Sequence, residues 1–329
     1  FILADFNTRI HCVPLLSGVF SQHEICIVPD GESHKNLRTC ETIWNFLLEH
    51  NADRKSILVN VGGGMITDMG GFAASCFQRG IRFVQVPTSV LAMTDASIGG
   101  KLGVDFQGYK NYIGVFKAPE FTWINSRFIQ TLPRKEKIAG LAEIVKHAII
   151  GSKSLWEKLN SITSIEKINW PELLEESIIV KNMIVQDDPL EKGIRKTLNF
   201  GHTIGHALES FFLQTEDPIT HGEAVTFGML AESKMALDHG LLSKTDFEKI
   251  ISLISTLLEP IYRELPSYSD LKKWMEKDKN STLSRLHFSL PTEIGSCRWD
   301  VTGLNAESAL EWLEKQVSGK SFRLMSDPF

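Results

Sequence analysis

The stretch Ser56–Asp68, which reads SILVNVGGGMITD, decides the fold class of this chain. An apolar run typical of a buried strand leads directly into three glycines, and helical periodicity follows them. Glycines at the start of a helix let backbone N–H groups approach a phosphate closely, and the helix dipole favours the negative charge. The spacing differs from GxGxxG because Thr67 stands where the third glycine would fall. A phosphate-binding turn and a plain tight turn both remain open.

The same strand-to-helix alternation extends outward from this stretch over residues 1–133. Alternation of this kind predicts a parallel sheet covered by helices, which is a Rossmann-like α/β fold. The expected strands are Phe1–Ala4, Ile25–Pro29, Ile57–Val61 and Ile81–Val86, and the expected helices between them are Leu37–His50 and Ile66–Phe77.

Residues 134–329 have a different character, with helical periodicity and few strand signals. We predict an all-α domain, and we expect a ligand cleft between the two domains. The expected helices are Lys135–Ile150, Ser152–Leu159, Trp170–Val185, His202–Phe212, Glu223–His239 and Lys244–Thr256.

Composition excludes several classes of protein. A length of 329 residues suits two domains, and a net charge of −5 gives no indication of a nucleic-acid partner. No segment resembles a membrane span or a signal peptide. The five cysteines form no CxxC pair, which favours small buried side chains in a reducing compartment over a disulfide framework. We therefore expect a cytoplasmic protein.

Three of the ten histidines lie within 20 positions of one another, in LNFGHTIGH at Leu198–His206 and THGE at Thr220–Glu223. His202 and His206 are four residues apart, so they share one helix face. Neutral imidazole suits zinc and its neighbours in the transition series. Spacing alone makes His202, His206 and His221 all candidate metal ligands.

Two polar, glycine-rich segments each place a lysine beside flexible backbone, at Asp95–Lys101 and at Gly108–Asn111. Such segments suit capture of an anionic substrate, but for either segment alone a surface loop with a solvated lysine is the favoured interpretation. Thr88 and Ser89 add hydroxyl groups directly after a predicted strand, at the sheet edge where α/β proteins bind ligands.

Taken together, these segments resemble the 3-dehydroquinate synthase family of the sugar phosphate cyclases, in order and spacing over most of the chain. The matching segments are Pro29–Glu32, Gly62–Gly64 with Asp68, Val86–Thr88, Asp95–Lys101, Lys110–Asn111, Leu132–Pro133, Ala142–Lys146, Leu198–His206 and His221–Glu223.

The resemblance implies an NAD- and metal-dependent phosphate lyase of the shikimate pathway, in the biosynthesis of aromatic amino acids. Its substrate would be 3-deoxy-D-arabino-heptulosonate 7-phosphate, and its products 3-dehydroquinate and phosphate. The implied reaction comprises transient oxidation by NAD, elimination of phosphate, reduction again and an intramolecular aldol closure. The resemblance also implies that residues 1–133 form a nucleotide-binding domain for NAD and that residues 134–329 bind metal and substrate. It implies a homodimer as well, in which Arg79 would come from the partner subunit.

The resemblance further implies roles for individual residues. Glu143, His202 and His221 would bind Zn²⁺ or Co²⁺, so His206 would contact substrate instead of metal. NAD would be held by Asp5, Asn7, Glu32, Lys35, Gly63, Gly64, Asp68, Thr88, Ser89, Thr131 and Leu132. The substrate and its phosphate and carboxylate groups would be held by Asp95, Lys101, Lys110, Asn111, Lys146, Lys181, Arg195, Asn199, His206 and Lys279.

Some positions depart from the family pattern, namely Thr67, Gly70, Tyr109 and Asn280, the last of which bears on the role of Lys279. The nearest alternative is another sugar phosphate cyclase, of the valiolone or deoxy-inosose type. A metal-dependent alcohol dehydrogenase is a more distant alternative, and it would release NADH. A non-catalytic binding protein is a third.

Overall fold

The computed structural model describes residues 1–20, 22–259, 263–276 and 286–317. The chain divides into two compact units, Phe1–Gly140 and Leu141–Phe329. The boundary between them falls within one continuous helix, Arg134–Gly151.

A four-stranded parallel sheet forms the centre of the first unit, with the strand order β2-β1-β3-β4. The strands are short and almost entirely buried, as expected for a sheet with helices on its faces. The expected Rossmann-like fold class is therefore confirmed, with boundaries shifted by one or two residues. The elements are β1 (Ile2–Asp5), α1 (Phe6–His11), β2 (Ile25–Val28), α2 (Leu37–Glu49), β3 (Ile57–Gly62), α3 (Gly64–Cys76) and β4 (Arg82–Pro87).

Two of the departures from the family pattern belong to a buried polar network beneath α3. The side-chain amide of Asn60 donates to Gln85 Oε1 at 3.1 Å, and Gln85 Nε2 donates to the carbonyl of Thr67 at 2.8 Å. A Cβ atom at Gly70 would lie 2.2 Å from Asn60 Oδ1. Glycine at this position is therefore required by the buried amide of Asn60.

The first unit also contains an antiparallel hairpin of β5 (Lys101–Phe106) and β6 (Tyr109–Phe116). Its turn is formed by Gln107 and Gly108, both with positive φ. The two glycine-rich segments that the sequence left open as surface loops thus border or form this hairpin. Along β6 no residue is fully buried, so the segment lacks the apolar run by which the other strands were predicted.

The second unit is mostly helical, as expected, but it also contains a two-stranded antiparallel hairpin, so it is not entirely α-helical. The strand β7 is buried along its first four residues and includes Pro291, which is atypical of a central strand. The elements are α4 (Arg134–Gly151), α5 (Lys153–Asn160), α6 (Trp170–Asp187), α7 (His202–Phe212), α8 (His221–Asp238), α9 (Lys244–Leu257), α10 (Tyr268–Met275), β7 (Phe288–Glu293), β8 (Ser296–Val301) and α11 (Glu307–Val317).

All five cysteines are free thiols. Cys12, Cys26 and Cys40 are buried as expected, and burial raises the pKa of Cys26 and of Cys40 to about 12. Cys76 differs, because it ends α3 at the surface and is exposed. Within the described residues, no helix combines the length and apolarity needed to cross a membrane.

Candidate functional sites

The carboxyl ends of β3 and β4 carry the glycine turn and the hydroxyl pair. Gly63 precedes α3 with no side chain capping the helix, which leaves backbone N–H groups available to an anion. A Cβ atom at Gly62 would lie 2.4 Å from that of Ile66, whereas at Gly63 it would be 3.4 Å from Ser89 Oγ and at Gly64 3.4 Å from Ala96 Cβ. Gly62 is thus needed for packing, whereas a Cβ atom at Gly63 or Gly64 would make only ordinary contacts within the protein.

A cluster of charged side chains surrounds the buried ammonium group of Lys35. Its Nζ lies 2.6 Å from Asp68 Oδ2 and 3.9 Å from Glu32 Oε1, and Lys110 Nζ lies 3.3 Å from the same Glu32 oxygen. Burial alone would lower the pKa of Lys35, but Asp68, Glu32 and Asp105 raise it above its ordinary value. The structure therefore brings together four residues that the sequence assigned to cofactor or substrate.

The first loop supplies a helix cap and a surface contact. Asp5 accepts a hydrogen bond from Thr8 N at 2.7 Å and so caps α1, while Thr8 Oγ1 in turn accepts from Asp5 N. Asn7 is exposed within α1, and its amide donates to Asp30 Oδ2 at 3.0 Å. Asp5 thus has a clear local structural role besides any contact with NAD.

The remaining first-unit candidates lie at strand and turn positions. Asp95 belongs to the π-helical turn Ala92–Ala96, a local widening that recurs at functional sites. Asn111 adopts a left-handed backbone with φ of 51°, and its N–H donates to Asp105 Oδ1 at 2.8 Å. Lys101 begins β5, Ser89 Oγ accepts from Ala92 N, and Thr131 and Leu132 lie at the end of a 3₁₀ turn.

In the second unit, three residues distant in sequence come together around one carboxylate. Glu143 is completely buried on α4, while His202 and His221 begin α7 and α8. Glu143 Oε1 lies 3.6 Å from His202 Nε2 and 3.5 Å from His221 Nε2. One ligand atom from each residue can be chosen so that all lie within 4.8 Å of one another. Two imidazoles and a carboxylate are a donor set that suits a catalytic zinc ion.

The other ring nitrogen of each histidine, Nδ1, also has a hydrogen-bond partner. His202 Nδ1 lies 3.1 Å from the carbonyl oxygen of Phe200, and His221 Nδ1 lies 3.3 Å from Glu209 Oε2. In the neutral form of each ring, which is the form that binds a metal ion, both partners accept a hydrogen bond from Nδ1 when Glu209 is ionised, so Nε2 presents its lone pair. Metal-binding histidines are commonly oriented in this manner. The residues present therefore fit a Zn²⁺ or Co²⁺ ion.

Charged neighbours act differently on the two histidines. Burial, together with the ammonium group of Lys146, holds the pKa of His202 well below its ordinary value. Burial would also lower the pKa of His221, but Glu209 and Glu143 raise it to about 9. Lys146 is buried and pairs with Glu143 Oε2, so the other oxygen of Glu143 faces the imidazoles.

His206 lies one turn along α7 from His202, with ring centroids 5.0 Å apart, and its centroid is 5.9 Å from that of His221. It therefore borders the three-residue group, and its role as a substrate contact stays a prediction. Lys279 lies outside the described residues.

An acidic segment at residues 187–191, which reads DDPLE, organises the turn that bears Arg195. Asp188 Oδ2 accepts hydrogen bonds from Gly193 N at 2.6 Å and Arg195 N at 3.1 Å. Burial favours a higher pKa for Asp188, but these backbone donors hold it below its ordinary value. Arg195 is buried, and its Nη1 donates to the carbonyl of Pro189 at 2.6 Å. The segment therefore holds the backbone of this turn and the guanidinium group of Arg195 in place.

Two further candidates lie on this segment or the helix before it. Asn199 Nδ2 donates to Glu191 Oε1 at 3.2 Å, which ties the end of the Arg195 turn to the acidic segment. Lys181 is buried on α6, and α6 packs against the turn. Their contacts with a substrate stay predictions.

The sequence analysis missed Glu209, which is buried on α7 and contacts His221. A signal was present, because Glu209 lies seven residues after His202 and three after His206, on the same helix face. A carboxylate on the same helix face as His202 is well placed to contact the other histidine ligand, His221.

Comparison with known proteins gives matches to one family over most of the chain. The family model "3-dehydroquinate synthase N-terminal" matches residues 25–139, and "3-dehydroquinate synthase C-terminal" matches residues 140–281. The 3-dehydroquinate synthase of Parabacteroides distasonis is 37% identical over 95% of this chain and 90% of its own length. That of Sulfurovum sp. (strain NBC37-1) is 41% identical over 93% of this chain and 88% of its own length.

Among solved structures, the chain is similar to ValA, a 2-epi-5-epi-valiolone synthase from Streptomyces hygroscopicus subsp. jinggangensis 5008 with NAD⁺ and Zn²⁺ bound. The TM-score is 0.85 and the identity 25%, over 95% of this chain and 90% of that chain. The expected resemblance is thus confirmed by family models and by relatives along most of the chain. This chain is an enzyme, and it belongs to the 3-dehydroquinate synthase family.

Proposed function

We propose that this chain converts 3-deoxy-D-arabino-heptulosonate 7-phosphate into 3-dehydroquinate and phosphate, using NAD and a Zn²⁺ or Co²⁺ ion. The observation that carries the proposal is the group of Glu143, His202 and His221, with both Nε2 atoms within 3.6 Å of one carboxylate oxygen. Family membership gives this group its chemical context. The known relatives at 37–41% identity are 3-dehydroquinate synthases, which favours this substrate over those of the related cyclases.

When bound, NAD supplies reversible hydride transfer and the metal ion supplies Lewis acidity at the reacting oxygen. In the second unit, Glu143, His202 and His221 would hold the metal. Lys146 pairs with Glu143 Oε2, and Glu209 accepts a hydrogen bond from His221 Nδ1. These contacts orient the ligand atoms before substrate arrives.

In the first unit, the backbone N–H groups of Gly63 and Gly64 would bind the pyrophosphate of NAD at the start of α3. The charged cluster of Glu32, Lys35 and Asp68 would contact the rest of the cofactor, and its buried ion pair fixes the positions of those side chains. Because two carboxylates flank Lys35, the cluster presents hydrogen-bond acceptors suited to sugar hydroxyl groups.

The substrate carries a phosphate and a carboxylate, and cationic side chains are assigned to both. Arg195 and Lys181 would bind the carboxylate, since a guanidinium group suits a bidentate contact. Lys101, Lys110, Asn111, Asn199 and His206, with Lys279, would bind the phosphate end. Asp188 supports this arrangement because it fixes the backbone on both sides of Ile194.

The test is a balanced assay of purified protein with NAD, Zn²⁺ and the heptulosonate phosphate. We expect phosphate release without accumulation of NADH, because the cofactor is reduced and reoxidised within each turnover. Sustained NADH absorbance would support a dehydrogenase instead. Phosphate release from glucose 6-phosphate, which lacks a carboxylate, together with none from the heptulosonate would support another sugar phosphate cyclase.

We also propose a cellular compartment and an oligomeric state. The free thiols of all five cysteines support a reducing compartment, and we propose the cytoplasm. Family resemblance implies a homodimer, in which Arg79 would reach the partner subunit. Light scattering of the protein as it elutes from a size-exclusion column measures its mass and checks this proposal. A monomeric mass for a fully active protein would contradict it.

A further inference from the structure

The helix that begins with the metal-binding histidine His202 has no side-chain cap of its own. Its N-cap residue is Gly201, which has a φ of 77°, and a Cβ atom there would lie 2.7 Å from Met229 Cγ. The helices α7 and α8 also approach so closely that a Cβ at Gly228 would lie 1.8 Å from the Gly201 carbonyl oxygen. Glycine is therefore required at position 201, and a capping Ser, Thr or Asp cannot take its place.

The missing cap is supplied from the neighbouring helix by Glu232, which is completely buried on α8. Its Oε2 accepts a hydrogen bond from Gly201 N at 2.6 Å, and its Oε1 accepts one from Ile204 N at 3.2 Å. These are two of the backbone donors that the start of a helix leaves without an intrahelical partner. Hydrogen bonds to an ionised carboxylate are stronger than those to a neutral acceptor.

The same peptide unit that donates to Glu232 also orients His202. The N–H of Gly201 and the carbonyl of Phe200 are the two ends of one peptide bond, and that carbonyl accepts from His202 Nδ1 at 3.1 Å. A carbonyl oxygen cannot donate, so this contact requires the proton on Nδ1 and leaves the Nε2 lone pair facing Glu143. Hydrogen bonds in series polarise one another, so the carboxylate strengthens the carbonyl as an acceptor.

We propose that Glu232 is a positioning residue of the metal centre, acting on His202 through the Phe200–Gly201 peptide. Glu209 acts on His221 by direct contact, so each histidine ligand is coupled to its own buried carboxylate. The inference rests on the metal-ligand assignment of the proposed function. Partners of this kind contribute roughly 10–100-fold to metal affinity.

The decisive variant is Glu232→Gln, which keeps the size of the side chain but removes its charge and turns one acceptor into a donor. We expect Zn²⁺ affinity, measured by competition with a chromophoric chelator, to weaken about 10-fold. The visible absorption spectrum of the Co²⁺-loaded protein should also change, because His202 is reoriented. Affinity within twofold of the parent protein, with an unchanged spectrum, would overturn the proposal.

A matched control separates loss of a helix cap from loss of this coupling. Ser243 caps α9 by accepting from Asp246 N at 3.1 Å, so Ser243→Ala removes a cap that touches none of the metal-site residues. We expect it to lower the melting temperature of the metal-free protein while leaving Zn²⁺ affinity unchanged. Equal losses of affinity in both variants would show that Glu232 acts only through general stability, which overturns the proposal.

A measurement on the unmodified protein keeps the inference testable if Glu232→Gln does not fold. Long-range ¹H–¹⁵N spectra of the metal-free protein identify which ring nitrogen of neutral His202 is protonated. Protonation at Nδ1 is expected, and protonation at Nε2 would overturn the proposal. A parent protein that binds no Zn²⁺ would overturn the proposed function itself, whereas tight Zn²⁺ binding indifferent to Glu232→Gln would overturn only this inference.

Discussion

Glycines border the candidate sites of both units, but the space beside them is used differently. Beside Gly63 and Gly64, a Cβ atom would meet its nearest neighbour at 3.4 Å, an ordinary contact distance. At Gly201, Gly205 and Gly228, it would lie 3.0 Å or less from atoms of the opposite helix. In the first unit a side chain would therefore fit without displacing its neighbours, whereas in the second the space is filled by another part of the protein.

A glycine-rich motif can therefore contribute to ligand binding either directly or indirectly. In the first unit, the glycines expose backbone N–H groups at the start of α3. In the second, they let α7 and α8 approach so closely that two helix starts, each bearing a histidine, reach one carboxylate. Substitutions should therefore affect cofactor affinity in one unit and folding in the other.

The largest effect is expected for Gly228→Ala, because its Cβ would lie 1.8 Å from a backbone oxygen. Neither helix can yield at that point without displacing its backbone. We expect the free energy of unfolding, measured with denaturant on the metal-free protein, to fall by about 3 kcal/mol or more. A variant as stable as the parent would show that α7 and α8 do not pack this closely.

The next effect is expected for His221→Ala, which tests metal binding separately from packing. His221 is half-buried at the first position of α8, and the helix keeps its cap from Thr220. We expect metal affinity and phosphate release to fall more than about 100-fold, since losing a ligand exceeds losing a ligand's partner. Circular dichroism of the metal-free variant should match the parent, in contrast to Gly228→Ala. Full metal content would contradict the ligand assignment.

A smaller effect is expected for Gly64→Ala in the first unit. The new methyl group has room within the protein but occupies space beside the proposed pyrophosphate site. We expect NAD affinity, measured by calorimetry, to weaken about 10-fold, equivalent to about 1.4 kcal/mol. Unfolding free energy should change by only about 0.5 kcal/mol. Unchanged NAD affinity would contradict the proposal that the glycines of the first unit, unlike those between α7 and α8, serve ligand binding directly.

The parallel sheet could be predicted from sequence because its strands are buried on both faces. Short and mostly apolar runs such as Ile57–Val61 mark such strands, and the glycine turn marks the edge that follows them. The two hairpins could not be predicted in the same way. β6 is partly exposed throughout, and β7 contains Pro291, so neither carries a clear strand pattern.

The sites were predictable only in part. Periodicity placed His202 and His206 on one helix face, but it could not exclude His206 as a ligand or supply Glu143. Glu143 precedes His202 by 59 positions in sequence, so resemblance to a family supplied that assignment. Glu232 looks like an ordinary helical carboxylate, and only the packing of α7 on α8 reveals the backbone N–H groups that it accepts from.

The left-handed backbone of Asn111 restricts how this position can change during evolution. Asparagine, aspartate and glycine adopt that conformation readily, whereas β-branched residues strongly resist it. Among these permitted residues, only asparagine offers an uncharged amide that can donate a hydrogen bond to a substrate. A lineage that alters the proposed substrate contact of Asn111 therefore has few viable intermediates, so we expect this position to diverge more slowly than the other exposed positions of β6.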